Sequence, residues 1–90
     1  MEFEFDSEKS TRNKEKHGID FIEGQKLWHD LDRIIIPAKL LDEPRYLLIG
    51  KIDEKYWSAI FTIRNQKIRI ISIRRSRKNE KEIYESWGLW

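Results

Sequence analysis

The chain has 90 residues, 39% of them apolar and 38% charged, with four Trp, four Phe and three Tyr to give a core bulk. That fits one soluble domain with a small core, since single cores take roughly 100–150 residues and an average chain is only about 25% charged. The absence of cysteine excludes disulfides, thiol catalysis and thiolate zinc sites. No apolar run approaches the ~18–20 residues of a membrane span. The acidic opening Glu2 to Asp6 lacks the apolar stretch of a secretory signal. The expectation is a single domain over 1–90, cytoplasmic and away from membranes.

Phe3 and Phe5 alternate with Glu2, Glu4 and Asp6, which predicts a short half-exposed strand. Asp6 or Ser7 then caps a helix that runs to about Lys16 and stops at Gly18, with Lys14, Lys16 and His17 in its last turn. Asp20 and Glu23 form a capping-box pattern for a second helix, with Phe21, Leu27, Trp28 and Leu31 on its apolar side. Ile34-Ile35-Ile36 predicts a strand ended by Pro37, residues 37–44 a loop, and Tyr46 to Gly50 another strand before a polar turn at Asp53-Glu54.

Tyr56–Arg64 and Lys67–Arg75 then predict a hairpin joined at Asn65-Gln66. A two-residue loop places Arg64 opposite Lys67, Thr62 opposite Arg69 and Ile60 opposite Ile71. Trp57, Ala59, Phe61, Ile63, Ile68, Ile70 and Ser72 then share a core face. Tyr56, Ser58, Thr62, Arg64, Lys67, Arg69 and Arg75 share the open face, with Ile60, Ile71 and Ile73 between them. From about Lys78 a last helix carries Ile83, Trp87 and Trp90 on one stripe, with Tyr84 off it and the tryptophans acting as packing anchors.

Charge is unevenly spread. Residues 1–32 hold nine acids and five bases, a balance of −4, whereas 64–81 hold eight bases and one acid, a balance of +7. Five of those eight bases are arginines, suited to bidentate phosphate contact. A stripe of this kind fits RNA or DNA, and equally a solvated sheet and helix rim. Arg64 and Arg69, two positions apart on the diagonal of the open face, can hold one phosphate between them. His17 is the titratable candidate, since an imidazole gives or takes a proton near neutral pH, although a helix C-cap explains it as well. Lys9, Asn13 and Lys16 share a helical face that suits an RNA backbone, a protein partner or plain solvent. His29, Asp30 and Asp32 are too few for a convincing metal site, and no metal or other cofactor is expected.

Phe5-Asp6, Lys9, Asn13, Lys16-His17-Gly18-Ile19 and Phe21, then Arg45 to Gly50, Ile68 to Ser72 with Arg74 and Arg75, and finally Glu80 and Tyr84 resemble the BrnT family of type II toxins over essentially the whole chain. Three positions depart from that pattern, since Ile73, Ser76 and Gly24 stand where the family commonly has Ala. The resemblance implies an α+β, RelE-like fold: a small twisted antiparallel sheet, two N-terminal helices packed on one face and a short C-terminal helix. It implies a metal-independent endoribonuclease that inhibits translation and arrests growth. It also implies a BrnA-like antitoxin with a DNA-binding domain, in a complex that can be 2:2, with operator DNA reached only through that partner. On this reading Arg64, Arg69 and His17 are the catalytic candidates, and Lys9, Lys16, Lys67, Arg74, Arg75 and Tyr84 contact RNA. The competing reading is a nucleic-acid-binding or protein-interaction module without chemistry.

Overall fold

The computed structural model describes residues 2–38 and 42–87, with Trp87 described by its backbone alone. β1 (Phe3–Glu4) leads into α1 (Ser7–His17), a 3-10 helix (Glu23–His29), β2 (Ile34–Pro37), β3 (Tyr46–Ile52), β4 (Lys55–Arg64), β5 (Lys67–Arg75) and α2 (Lys78–Trp87). The five strands form one sheet in the order β1-β5-β4-β3-β2. Four of them are antiparallel, but β1 joins β5 in parallel, so the sheet is mixed rather than wholly antiparallel.

Local chemistry explains the ends of the elements. The Asp6 carboxylate accepts from the Glu8 and Lys9 backbone N–H groups at 2.8 and 3.2 Å, and Gly18 closes α1 in the left-handed region at φ 83°. The Asp20–Glu23 capping box forms as expected: Asp20 Oδ1 accepts from Glu23 N at 2.7 Å and Glu23 Oε1 accepts from Asp20 N. The segment it starts is a 3-10 helix, however, and Leu31 lies beyond its end, 93% exposed instead of packed. Two-residue turns at Asp53-Glu54 and Asn65-Gln66, all four residues at positive φ, set the registers of both hairpins. Of the loop expected over 37–44, residues 39–41 lie outside the described residues, as do the Trp87 side chain and Trp90 of the C-terminal stripe.

Ile19 and Phe21 from the connection after α1 and Leu27 from the 3-10 helix pack with Leu48, Trp57, Ala59, Phe61, Ile68, Ile70 and Ile73 from the sheet. Two expectations for the hairpin fail at one spot. A bulge at Ile71 lets Ile60 face Ser72, so beyond it the alternation of β5 reverses. Ile73 turns inward and is fully buried, Ser72 turns outward, Arg74 joins the open face opposite Ser58, and Arg75 crosses to the side of Trp57. The bulge puts an isoleucine in the core where strict alternation would have buried a serine hydroxyl. Ile63 keeps the parity of the core face yet is 49% exposed, because no helix among the described residues covers that end of the sheet.

Candidate functional site

The open face is built from the β1–β5–β4 register. Thr62 pairs with Arg69 and Arg64 with Lys67, so Arg64 and Arg69 lie diagonally on one face, as the turn parity requires. The parallel pairing of Glu4 with Arg69 brings the acidic N-terminal strand against this cationic one. Each cation therefore meets a carboxylate. Arg64 Nη2 lies 2.8 Å from Glu43 Oε1, Lys67 Nζ 3.6 Å from Glu2, and Arg69 Nη1 3.8 Å from Glu4. Two of these pairs, Lys67 with Glu2 and Arg69 with Glu4, join the acidic N-terminal segment to the basic one across the sheet, while Arg64 takes its partner from the stretch before β3. These three pairs are open to solvent or nearly so, and exposed pairs are worth about 0–1 kcal/mol, so a phosphodiester can displace them cheaply.

At the other end of the hairpin the chemistry differs. Arg74 grips Glu80 through two bonds of 2.7 and 2.8 Å, and Glu80 also accepts from Ser58 Oγ and from the Arg77 backbone N–H that opens α2. Ser58 and Ser76 share a further hydroxyl bond of 2.8 Å. Glu80 is only 5% exposed. The Arg74 guanidinium, helped by the Arg77 N–H and the Ser58 hydroxyl, outweighs burial and holds its carboxyl down at about 2. Such an acid is no proton acceptor near neutral pH; it fastens α2 to the sheet. Because its folded value lies below the ordinary one of 4.5, its contribution is complete above that value and disappears as pH falls through about 2. Glu80→Gln is expected to lower stability by about 2 kcal/mol at pH 7 and to flatten the loss of stability between pH 4.5 and 2; urea titrations across that range compare the two proteins.

Tyr84, expected off the packed stripe, is half-buried. Its hydroxyl donates to Asp30 Oδ2 at 2.8 Å and its ring meets Tyr56 edge-on at 5.6 Å. Burial first, and the Asp30 carboxylate second, raise that hydroxyl well above the ordinary tyrosine range. Asp30 in turn accepts from the Asp32 and Lys51 backbone N–H groups. Burial pushes its carboxyl up, but these bonds together pull it below the usual value. Lys51 Nζ stands 4.8 Å from the Tyr56 ring centre and 5.6 Å from that of Tyr84, and Lys81 lies 5.7 Å from Tyr56. This aromatic and cationic cluster was not read from sequence, since α2 brings its parts together from separate strands.

The family model for the ribonuclease toxin, BrnT, of type II toxin-antitoxin systems matches residues 5–80. The chain belongs to the BrnT family. A comparison with curated proteins finds no match. The matched span contains the whole β4–β5 hairpin, α1 and the Glu80 anchor, while Glu2, Glu4, Lys81 and Tyr84 lie outside it.

The expected site residues of this BrnT chain do not all converge. Arg64, Lys67 and Arg69 come together on the open face, with Arg74 farther along it. His17 ends α1, which packs on β5 from the core side, so it does not share a face with Arg64 and Arg69. The C-cap bond of that helix is made by Gly18 N to Lys14 O at 2.9 Å. Lys9 and Lys16 are exposed on α1, but Asn13 between them is not a surface group: its amide donates to the Ile19 and Ile73 carbonyls and accepts from Ile73 N, clamping α1 to β5. Arg75 lies over the Trp57 ring at 5.3 Å, away from Arg74. Glu2, Glu4 and Glu43 are the members sequence reasoning missed. The Glu-Phe-Glu-Phe alternation signals that Glu2 and Glu4 share a face, but only the parallel pairing sets them beside Lys67 and Arg69.

Proposed function

We propose that the chain is an endoribonuclease that cleaves RNA without a metal ion, inhibits translation and arrests growth, on a RelE-like arrangement of sheet and helices. The family match over residues 5–80 carries this reading. In the cleavage, the ribose 2′-oxygen attacks the neighbouring phosphorus as its proton leaves, and the bond to the 5′-oxygen breaks as that oxygen gains a proton. The products are a 2′,3′-cyclic phosphate and a 5′-hydroxyl. Arg64 and Arg69 surround the phosphate and stabilise the charge that builds on its oxygens, the largest single term in many such reactions. Their carboxylate partners hold the guanidinium groups in place until RNA displaces them. Lys67 and, farther along the face, Arg74 and Tyr84 extend the contact with RNA; His17, Lys9, Lys16 and Arg75 form a second group reached only by a strand that wraps the sheet.

The proposed partner is a BrnA-like antitoxin that neutralises the toxin and links it to operator DNA through its own DNA-binding domain, and the proposed place of action is the cytoplasm. Among the described residues, no helix is long and apolar enough to cross a membrane. Purified chain incubated with RNA in EDTA is expected to cleave it, and its expression alone to stop growth that returns when the antitoxin is supplied. Intact RNA that is shifted but not cut, with a steep salt dependence, would overturn the enzyme in favour of a binding module.

A further inference from the structure

Among the described residues, nothing covers the hairpin end of the sheet face that carries α1 and the 3-10 helix. There a groove of about 540 Å³ crosses all five strands, from Phe3 on β1 through Ile68, Ile63 and Phe61 to Tyr46 on β3 and Ile35 on β2. Trp28 walls it, set edge-on against Phe3 at 5.0 Å and Phe61 at 5.2 Å, while Tyr46 stacks on Phe61 at 5.3 Å. Ile63 and Ile35 are 49% and 44% exposed, a large apolar display for so charged a chain. The remaining lining residues are His29 and Arg33, both exposed, and among the described residues no carboxylate lines the groove. Among the described residues, the Arg33 side chain bonds only the Asp30 backbone carbonyl, at 3.2 Å.

We propose that this groove is the anchor site for the antitoxin, which lays an acidic amphipathic helix into it; this rests on the reading that a protein antitoxin exists. Four inter-strand steps of 4.7–4.9 Å make a span of roughly 19 Å, the length of a helix of about 13 residues. Such a helix places apolar anchors at i, i+3 or i+4, and i+7 on Ile63, Ile35 and the aromatic wall. Carboxylates on its flank meet Arg33 and His29. A second copy of this chain is a poorer occupant, since a two-fold contact would set its own Arg33 and His29 rim against itself. RNA is poorer too, because the floor is branched aliphatic and the rings are already packed on one another, without the run of cations that tracks a backbone. Toward the hairpin turn the groove is bordered by the Ile63–Ile68 pair, next to Arg64 and Lys67, so a chain anchored there reaches the open face around the hairpin edge.

The test titrates purified chain with the protein encoded in the same operon, following heat by calorimetry. Ile63→Glu and Ile35→Glu are each expected to weaken binding at least about thirtyfold, and Arg33→Glu about tenfold with a smaller salt dependence. All three should melt close to the parent and cleave RNA at its rate, since these side chains are exposed and lie on the opposite face of the sheet from the arginine pair. Unchanged affinity in both isoleucine variants overturns the proposal while leaving the antitoxin reading intact. A parent chain that binds no operon protein overturns both. Loss of RNA cleavage with antitoxin affinity retained assigns the groove to RNA instead. Loss of a dimer of the free chain in sedimentation, with antitoxin affinity retained, assigns it to a second copy; either result overturns the proposal.

Discussion

Arg64→Ala and Arg69→Ala are each expected to cut RNA about ten- to a thousandfold more slowly than the parent, the range for losing one preorganised charged donor. Both should fold normally. Arg64 is roughly half exposed and Arg69 about a third, and the ion pairs they make with Glu43 and Glu4 span solvent-facing positions. Removing such a side chain changes stability by only about 0.5 kcal/mol. The diagonal register is what makes the two changes comparable: if one phosphate lies between them, each guanidinium contributes one side of the same clamp, and the double variant should lose less than the product of the two. Arg74→Ala separates catalysis from architecture, because its partner Glu80 would be left buried and unpaired, so its activity loss should come with a lower melting temperature. His17→Ala should lose less activity than either arginine variant. Cleavage rates and thermal melts on the same purified set decide the matter. Arginine variants that melt and cleave like the parent would remove this face as the active site and turn attention to His17, Lys9 and Lys16 on α1 with Arg75.

The parts of the molecule legible in the sequence are those governed by local rules. Asp6 and Gly18 bound α1, the Asp20–Glu23 pair caps the next segment, and Asn65-Gln66 makes a two-residue turn that sets Arg64 and Arg69 on one face. The illegible parts depend on contacts distant in sequence. No periodicity marks a bulge at Ile71, because Ile71, Ser72 and Ile73 suit either alternation until the core is assembled; Ile73 then wins the inward place. A capping box starts a helical turn without stating that it will be 3-10. The polar face of α1 reads as solvent-facing, yet Asn13 and Ser10 are buried, Ser10 Oγ accepting from Phe21 N at 2.9 Å. The cationic stripe is a stripe only along the chain; in space it is interleaved with Glu2, Glu4, Glu43 and Glu80, which a running charge balance does not reveal.

Gly24 and Ile73, two of the three positions expected to depart from the family pattern, meet in the structure. A Cβ built at Gly24 would lie 2.0 Å from Ile73 Cδ1, so the 3-10 helix sits on β5 at a distance that admits this isoleucine only because the glycine has no side chain. Gly24→Ala alone is expected to cost about 1–3 kcal/mol, since the added methyl overlaps the end of the fully buried Ile73 side chain and forces it to shift. Ile73→Ala alone should cost about 2–4 kcal/mol by leaving a cavity in the centre of the core. In that background the sign of the first change should invert. Gly24→Ala then puts a methyl group into the void and reduces the freedom of the unfolded chain, a gain of about 0.5–1 kcal/mol. Urea denaturation of the four proteins measures the cycle, and the expected coupling between the two sites is about 2 kcal/mol or more. Strict additivity would mean that the helix shifts freely on β5, and the size exchange between Gly24 and Ile73 would then have no bearing on how this chain holds its hairpin in place.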